Sequence, residues 1–342
     1  MFINLRKHPL RACLLVAVFL GACTTPAVEQ PVPEPIKLKV MLMPYISWAP
    51  FLIAEEEGFF AEQGLEIEFY KLSATADALP ALSKGDLDVA AGGVTINTLN
   101  AIARGINIKY VADRGYLDHA GCTYYAFLAR RSLMEAGELD SPGQMRGRRI
   151  ARTAGGVAEY FLQTQLNSAG LSIDDVELVD VPTPAKSEAL GDGVLDLTLV
   201  AEPWVTRIVE TGNADIWMRF EREFPDFQMG FVLFGPSILD ENPDAGKRFM
   251  IAYLKAVQQY REGKTERNLA ILSEATGLEE TLLRDACWPA FRDGGQINVQ
   301  SVLDFQAWAV EGGYVDNPLA EHEFWDPSFV EYASEILDAT SQ

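Results

Sequence analysis

Histidine is almost absent from these 342 residues: there are three, and His8 lies within the first ten positions. With so few imidazoles, a His-based zinc site or an acid–base relay has little to be built from. No H-E-x-x-H or G-x-S-x-G run occurs, and no P-loop. Cysteine is nearly as scarce, with four residues and no C-x-x-C pair, so zinc-ribbon and dithiol redox chemistry lack their ligands. Positive charge is also short. Against 49 Asp and Glu stand 28 Lys and Arg, a net charge of −21, the opposite sign to a nucleic-acid-binding surface. Acidity of the whole does not exclude an anionic ligand, because a single arginine or a helix start decides charge locally. The Glu55–Glu57 run and the Asp-rich turns lack EF-hand spacing and read as solvated faces.

What is present begins with the N-terminus. Arg6, Lys7 and Arg11 precede the apolar run Cys13–Leu20, which ends in Leu20-Gly21-Ala22-Cys23. The run is well short of the ~20 residues of a membrane-spanning helix. A basic start, a short apolar stretch and small residues at the cut site make an export signal. The tetrad LGAC resembles a bacterial lipobox, which implies a signal over 1–22 and lipid attachment at Cys23; an ordinary signal peptide that happens to contain a cysteine is the alternative. Removing 1–22 takes three positive charges and no negative one, moving the net charge from −21 to −24. Residues 23–37, rich in proline and polar residues, read as a tether holding a domain off a membrane. Cys122 and Cys287 remain, and two separate buried thiols are favoured slightly over a disulfide.

From Leu38 the pattern alternates strand and helix. LKVMLM, LEIEFYKL, LDVAAGG and IKYVADRG are predicted strands, separated by helical stretches. Thr95 is a plausible N-cap of the third. A second set of units starts near residue 141, and past about 235 long helical patterns dominate. Alternating βα units predict parallel sheets with helices on both faces. A weak internal echo links ALSKGDLDVAAGG (81–93) with ALGDGVLDLTLVAEP (189–203), each a helix end, a glycine, then Leu-Asp into a buried strand.

Five segments in this order, GFFAEQGLEIEF, LSKGDLDVAAGG, SPGQMRGRRIA, LNSAGLSIDDVELVDV and AEPW, make the chain resemble the substrate-binding proteins of ABC importers for nitrate, sulfonates, taurine, thiamin precursors and riboflavin. The resemblance spans about residues 38–335. It implies an α/β, two-lobe periplasmic-binding-protein fold with two crossovers (type II) and the ligand in the inter-lobe cleft. The first lobe would be 38–127 plus 235–342 and the second 128–234, with crossovers YYAFLARR and MGFVLFGP. The group also contains pyrimidine synthases on the same fold, but those carry a cysteine-rich cluster and a consumed histidine. Here Cys122 stands alone in HAGCTYY.

Ligands of open α/β sheets bind beyond the carboxyl ends of the strands. That rule selects PYISW (44–48), GGVT (92–95), TAGG (153–156) and EPW (202–204). Candidate ligand contacts are Tyr45, Trp48, Gly93, Thr95, Tyr124, Gly155, Gly156, Tyr160, Glu202 and Trp204. The aromatics offer flat contact area, and the glycines let backbone approach a ligand or merely make tight turns. Glu202 could accept from a ligand or favour a helix start. Arg114, Arg152 and Arg207 could meet an anion, but surface ion pairs are favoured for each. Trp217, Trp288, Trp308 and Trp325 sit in helical patterns and read as packing.

The expected function is a lipid-anchored, exported, monomeric receptor with no catalytic residues and no cofactor. It would capture a planar heterocycle such as riboflavin or a thiamin-type pyrimidine by lobe closure and deliver it to an ABC permease in the membrane. A receptor for an alkanesulfonate or similar small anion is the alternative. An enzyme on the same fold, and a sensory surface lipoprotein, are the readings from other classes.

Overall fold

The computed structural model describes residues 34–72, 75–152 and 154–340. The predicted signal, Cys23 and all but the last few residues of the predicted tether lie outside the described residues, as does Thr153. Among the described residues, ten strands form two five-stranded sheets. The first contains β1 (Ile36–Leu42), β2 (Leu65–Lys71), β3 (Val89–Gly92), β4 (Lys109–Asp113) and β10 (Phe231–Phe234), in the order β2-β1-β3-β10-β4. The second contains β5 (Tyr125–Arg130), β6 (Arg149–Ala151), β7 (Glu177–Val179), β8 (Leu197–Ala201) and β9 (Ala214–Arg219), in the order β7-β6-β8-β5-β9. Each sheet is the core of one lobe.

The sheets are mixed rather than purely parallel. β1 runs parallel to β2 and β3, but β10 is antiparallel to β3 and β4. In the second sheet β6 is parallel to β7 and β8, while β5 is antiparallel to β8 and β9. The two antiparallel strands are those through which the chain enters one sheet from the other. They fall within the crossover segments YYAFLARR and MGFVLFGP. A strand arriving from the opposite lobe enters from the other end of the sheet and must run against its neighbours. All residues of β3 and of β10 are buried, which explains their continuous rather than alternating apolar pattern.

The internal echo has a physical content. Asp88 N–H donates to Lys39 O at 2.9 Å while its carboxylate accepts Lys39 N–H at 2.7 Å. Asp196 repeats this with Arg149, at 2.8 and 2.9 Å. In each lobe an aspartate at the entrance of the buried strand satisfies the backbone of the parallel neighbour, where an unpaired N–H would be costly.

β9 is a strand where the sequence suggested helix, and Trp217 lies in it, its ring edge-on to Phe127 at 5.4 Å. Its half-buried pattern is short and follows the helix of residues 204–210 closely, which masked the change of period. The long helix Pro243–Arg261, capped by Asn242, covers the first sheet; Phe249 and Tyr253 pack on Phe51 at 6.0 and 5.1 Å.

Cys122 and Cys287 form a disulfide, contrary to the expectation of separate thiols. Cys122 lies just before β5, and Cys287 in the C-terminal helical layer, so tertiary folding brings together residues 165 positions apart.

Candidate functional site

A cavity of about 330 Å³ lies where the strand ends of both sheets meet. Met43, Tyr45, Ser47 and Trp48 reach it from the turn after β1, and Arg114 from the end of β4. Tyr124 and Tyr125 enter with the first crossing strand, Ala158 from the helix Val157–Ser168, and Leu199, Val200, Ala201 and Trp204 from β8 and the helix after it. Thr183 and Lys186 come from the turn after β7. A wider space of about 670 Å³ adjoins it, sharing Met43, Tyr45, Thr183 and Trp204 and continuing past Pro44, Pro182, Pro184 and Pro203 to Arg207 and Leu278.

The residues Ile46–Trp48 form a 3₁₀ turn, and Pro50 then starts the helix Ala49–Glu56 in its first turn. The turn holds Tyr45 and Trp48 with ring centroids 6.1 Å apart. Tyr45 is half-buried, but Trp48 is only 3% exposed. Cζ of Arg114 sits 3.8 Å from the Trp48 ring centroid, and Nη1 donates to Ser47 Oγ at 2.5 Å.

Arg114 is fixed from behind. The Asp113 carboxylate accepts Gly115 N–H at 2.7 Å, Gln228 Nε2–H at 2.5 Å and Arg292 N–H at 2.6 Å, and Tyr253 O–H donates to Asp113 O. Burial pushes the Asp113 carboxyl up to about 6, against these hydrogen bonds and the Arg292 charge that lower it. Arg114 N–H donates to Gly230 O, and Gly230 leaves room for the guanidinium, since a Cβ there would stand 2.8 Å from Nη2.

Arg114 is 6% exposed and forms no ion pair among the described residues, so the expected surface pairing is wrong for it. Arg152 does pair with Asp180 at 3.0 Å on the surface, and Arg207 lies 5.3 Å from the Trp204 ring. Lys186 is 7% exposed; its Nζ donates to Leu199 O at 3.3 Å and meets no carboxylate. Desolvation alone lowers its pKa to about 8. Burial raises Tyr45, Tyr124 and Tyr125, which therefore stay neutral. Two cations, five large aromatics and no carboxylate line this cavity in a strongly acidic protein.

Of the expected contacts, Tyr45, Trp48, Tyr124 and Trp204 line the cavity. The others are used elsewhere. Thr95 and Gly156 form a bridge between the lobes, Ile96 N–H donates to Gly155 O at 2.9 Å, and Thr95 Oγ1 caps its helix through Thr98 N–H. Gly93 lies against its own sheet, where a Cβ would stand 3.1 Å from Met229 O just before β10. The two glycine turns thus bring backbone close to backbone rather than to the cavity. Tyr160 is enclosed by Phe161, Phe224, Phe227, Phe305 and Trp308, all with centroids within 6 Å. Glu202 is 2% exposed, and its carboxylate accepts from Thr206 N–H, Thr206 Oγ1–H and Cys287 N–H, so helix start and disulfide loop occupy it. Lys186 was missed. It follows a strand in VPTPAKSEA, so the rule that selected the other strand-to-helix turns would have found it.

Among the described residues there is no cluster of potential metal ligands, and no helix is long and apolar enough to cross a membrane.

The fold and sequence have relatives. A Brucella abortus (strain 2308) protein to which a binding role is attributed is 22% identical over 236 residues, 65% of this chain and 66% of its own length, just under two thirds. The ligand-binding component of an ABC-type import system from Staphylococcus aureus superposes with a TM-score of 0.73 at 15% identity, over 87% of this chain and 99% of that one. The periplasmic aliphatic sulphonate-binding protein of Escherichia coli gives 0.68 at 16% identity, over 85% and 98%. A desulfurization enzyme shares the fold as well, at 0.65 and 16% identity, over 88% and 99%. The family described as NMT1/THI5 like matches residues 46–264, more than half of the chain, and the chain belongs to that family.

Proposed function

We propose that this NMT1/THI5-like protein is the solute-binding component of an ABC importer, holding a small planar molecule between its lobes and presenting it to a permease. One observation carries the reading: rings from both lobes, Tyr45 and Trp48 from the first and Trp204 from the second, line one cavity together with the crossing strand's Tyr124 and Tyr125. Flat side chains with few rotatable bonds suit a flat ligand, because little entropy is lost on contact. Solvent-excluding closure over the ligand needs residues from both lobes, and the crossing strands are where rotation would be absorbed. The importers' binding components among the fold relatives support the transport role.

Riboflavin and a thiamin-type pyrimidine are the ligands this reading tests first. Tryptophan fluorescence of residues 24–342 is titrated with each, and saturable quenching supports it. The absence of quenching or thermal shift with any ring compound rejects it. A second reading, a small anion such as an alkanesulfonate, is favoured by Arg114 and Lys186, which both line the cavity. Binding without turnover is part of the proposal: bound ligand recovered after long incubation is unchanged, whereas a new product in the mass spectrum would make the chain an enzyme. Export and lipid attachment at Cys23 are proposed from the N-terminal sequence. They predict a mature protein that begins at Cys23 and partitions into detergent, and a Cys23→Ala form that does not.

A further inference from the structure

We infer that the ligand is a ring-bearing organic anion, its negative group met by Arg114 and Lys186 in the inner cavity and its ring system lying between there and the wider space beside it. The inference rests on the ring-binding reading above and adds a charge and a size to it.

Charge comes first. Arg114 and Lys186 are both more than nine-tenths buried, line the same cavity, and face no carboxylate there. Arg114 is supported by neutral groups, the Ser47 hydroxyl and the Trp48 ring face. Asp113, its neighbour in sequence, spends its oxygens on Gly115, Gln228 and Arg292. Among the described residues, the Lys186 ammonium makes one hydrogen bond, a 3.3 Å contact to a backbone oxygen, which uses one of its three donors. Burying a cation without a counter-charge is strongly unfavourable. Two such cations in one cavity are stabilised together by one anionic group. Arg114 Nε and Trp48 Nε1 also have no partner among the described residues, but both are closed off from the cavity. The polar atoms left for a ligand in the cavity are the donors of the Lys186 ammonium, which call for an acceptor. The low pKa of Lys186 is the same desolvation seen from the proton's side, and an anion would raise it.

Size comes from the second space. Nitrate or taurine would fill a small part of 330 Å³, and the inner cavity opens past Tyr45 and Trp204 to another 670 Å³. Those two aromatics belong to both spaces, so a ring held by them extends from one to the other. The prolines at 44, 182, 184 and 203 stiffen the rim, which suits a bulky rigid body better than a flexible one.

The test is a matched series titrated into the intact protein by calorimetry: naphthalene-2-sulfonate, the neutral 2-naphthalenemethanol, and methanesulfonate. A second pair, riboflavin 5′-phosphate against riboflavin, keeps the ring system and adds an anionic phosphate. The expected order places each ring-bearing anion at least tenfold tighter than its neutral partner and tighter than methanesulfonate. Lys186→Gln should reduce that ratio to threefold or less, and, because it removes a buried cation that has no counter-charge, it should not lower the melting temperature. Arg114→Lys, which keeps the charge but not the fork, serves as a second variant, since Arg114 is packed against Trp48. If neutral and anionic rings bind alike, or Lys186→Gln leaves the ratio intact, the anion inference fails and the ring-binding reading stands. Binding of methanesulfonate alone, with no ring compound bound, overturns both.

Discussion

Arg114 and Trp48 form a buried stack, Cζ 3.8 Å from the ring centroid, in which a cation is held by an aromatic face rather than by an acid. A desolvated contact of this kind is worth about 2 kcal/mol. It changes the part Trp48 plays, since the ring both lines the cavity and carries the arginine.

Trp48→Ala should therefore be a stability variant as well as a binding variant. At 3% exposure, deleting the ring leaves a hole and a bare guanidinium, and the expected loss is about 3–5 kcal/mol in urea unfolding. Trp48→Phe keeps a ring under Arg114 and should cost under about 1.5 kcal/mol. Equal stability of the Ala form and the wild type would place Trp48 outside the packed core.

Gly230 offers a way to move Arg114 without altering it. A Cβ at 230 would stand 2.7 Å from Arg114 O and 2.8 Å from Nη2. Gly230→Ala should destabilise the fold by about 1–3 kcal/mol through overpacking. It should also weaken binding of naphthalene-2-sulfonate more than binding of the neutral alcohol. Both effects are read from the same two titrations, and an unchanged anion preference would separate Gly230 from the site.

The pH dependence follows from Lys186. Its folded pKa of about 8 lies below the ordinary 10.5, so between those values the folded state binds fewer protons than the unfolded one. Stability of the free protein should thus rise with pH from about 8 to about 10.5, and that gain should be absent below pH 8. Anion affinity should move the other way and fall as pH rises above 8. The remaining titratable groups lining the cavity are Arg114 and the tyrosines 45, 124 and 125, all three raised, so none of them titrates first. Lys186→Gln should flatten both profiles; persistence of the affinity profile in that variant would assign it to another group.

The disulfide closes a stretch of 165 residues that includes the whole second sheet. Cys122→Ser with Cys287→Ser should lower stability by roughly 2–5 kcal/mol, and reducing agent should destabilise the wild type but not the double variant. Denaturant midpoints with and without dithiothreitol measure it. Insensitivity of the wild type to reductant would show that the bond contributes nothing to the fold.

The sequence by itself determined most of the elements and their order, β9 being the strand it read as helix. Period-two runs, N-caps such as Thr95 and prolines at helix starts are local signals. So is the Leu-Asp entry repeated at 88 and 196, which the structure shows clamping a neighbouring strand in each lobe. The strand-end rule found Tyr45, Trp48 and Trp204 because side chains just past a strand inherit its direction. Tertiary structure decided the rest, and in each case the reason is a partner far away in sequence. The antiparallel sense of β5 and β10 depends on which lobe the chain arrives from. The glycine turns at 93–95 and 155–156 meet each other instead of the cavity, and Glu202 is taken by Cys287 85 residues on. Cys122 and Cys287 are brought within bonding reach only by the packed helices around them. Charge shows the limit most clearly. Arg114 looks in sequence like any arginine beside an aspartate. Only packing reveals that Asp113 is committed elsewhere and that Lys186, 72 residues later, shares its cavity. A net charge of −21 describes the whole chain, whereas the cavity holds two buried cations that the total conceals.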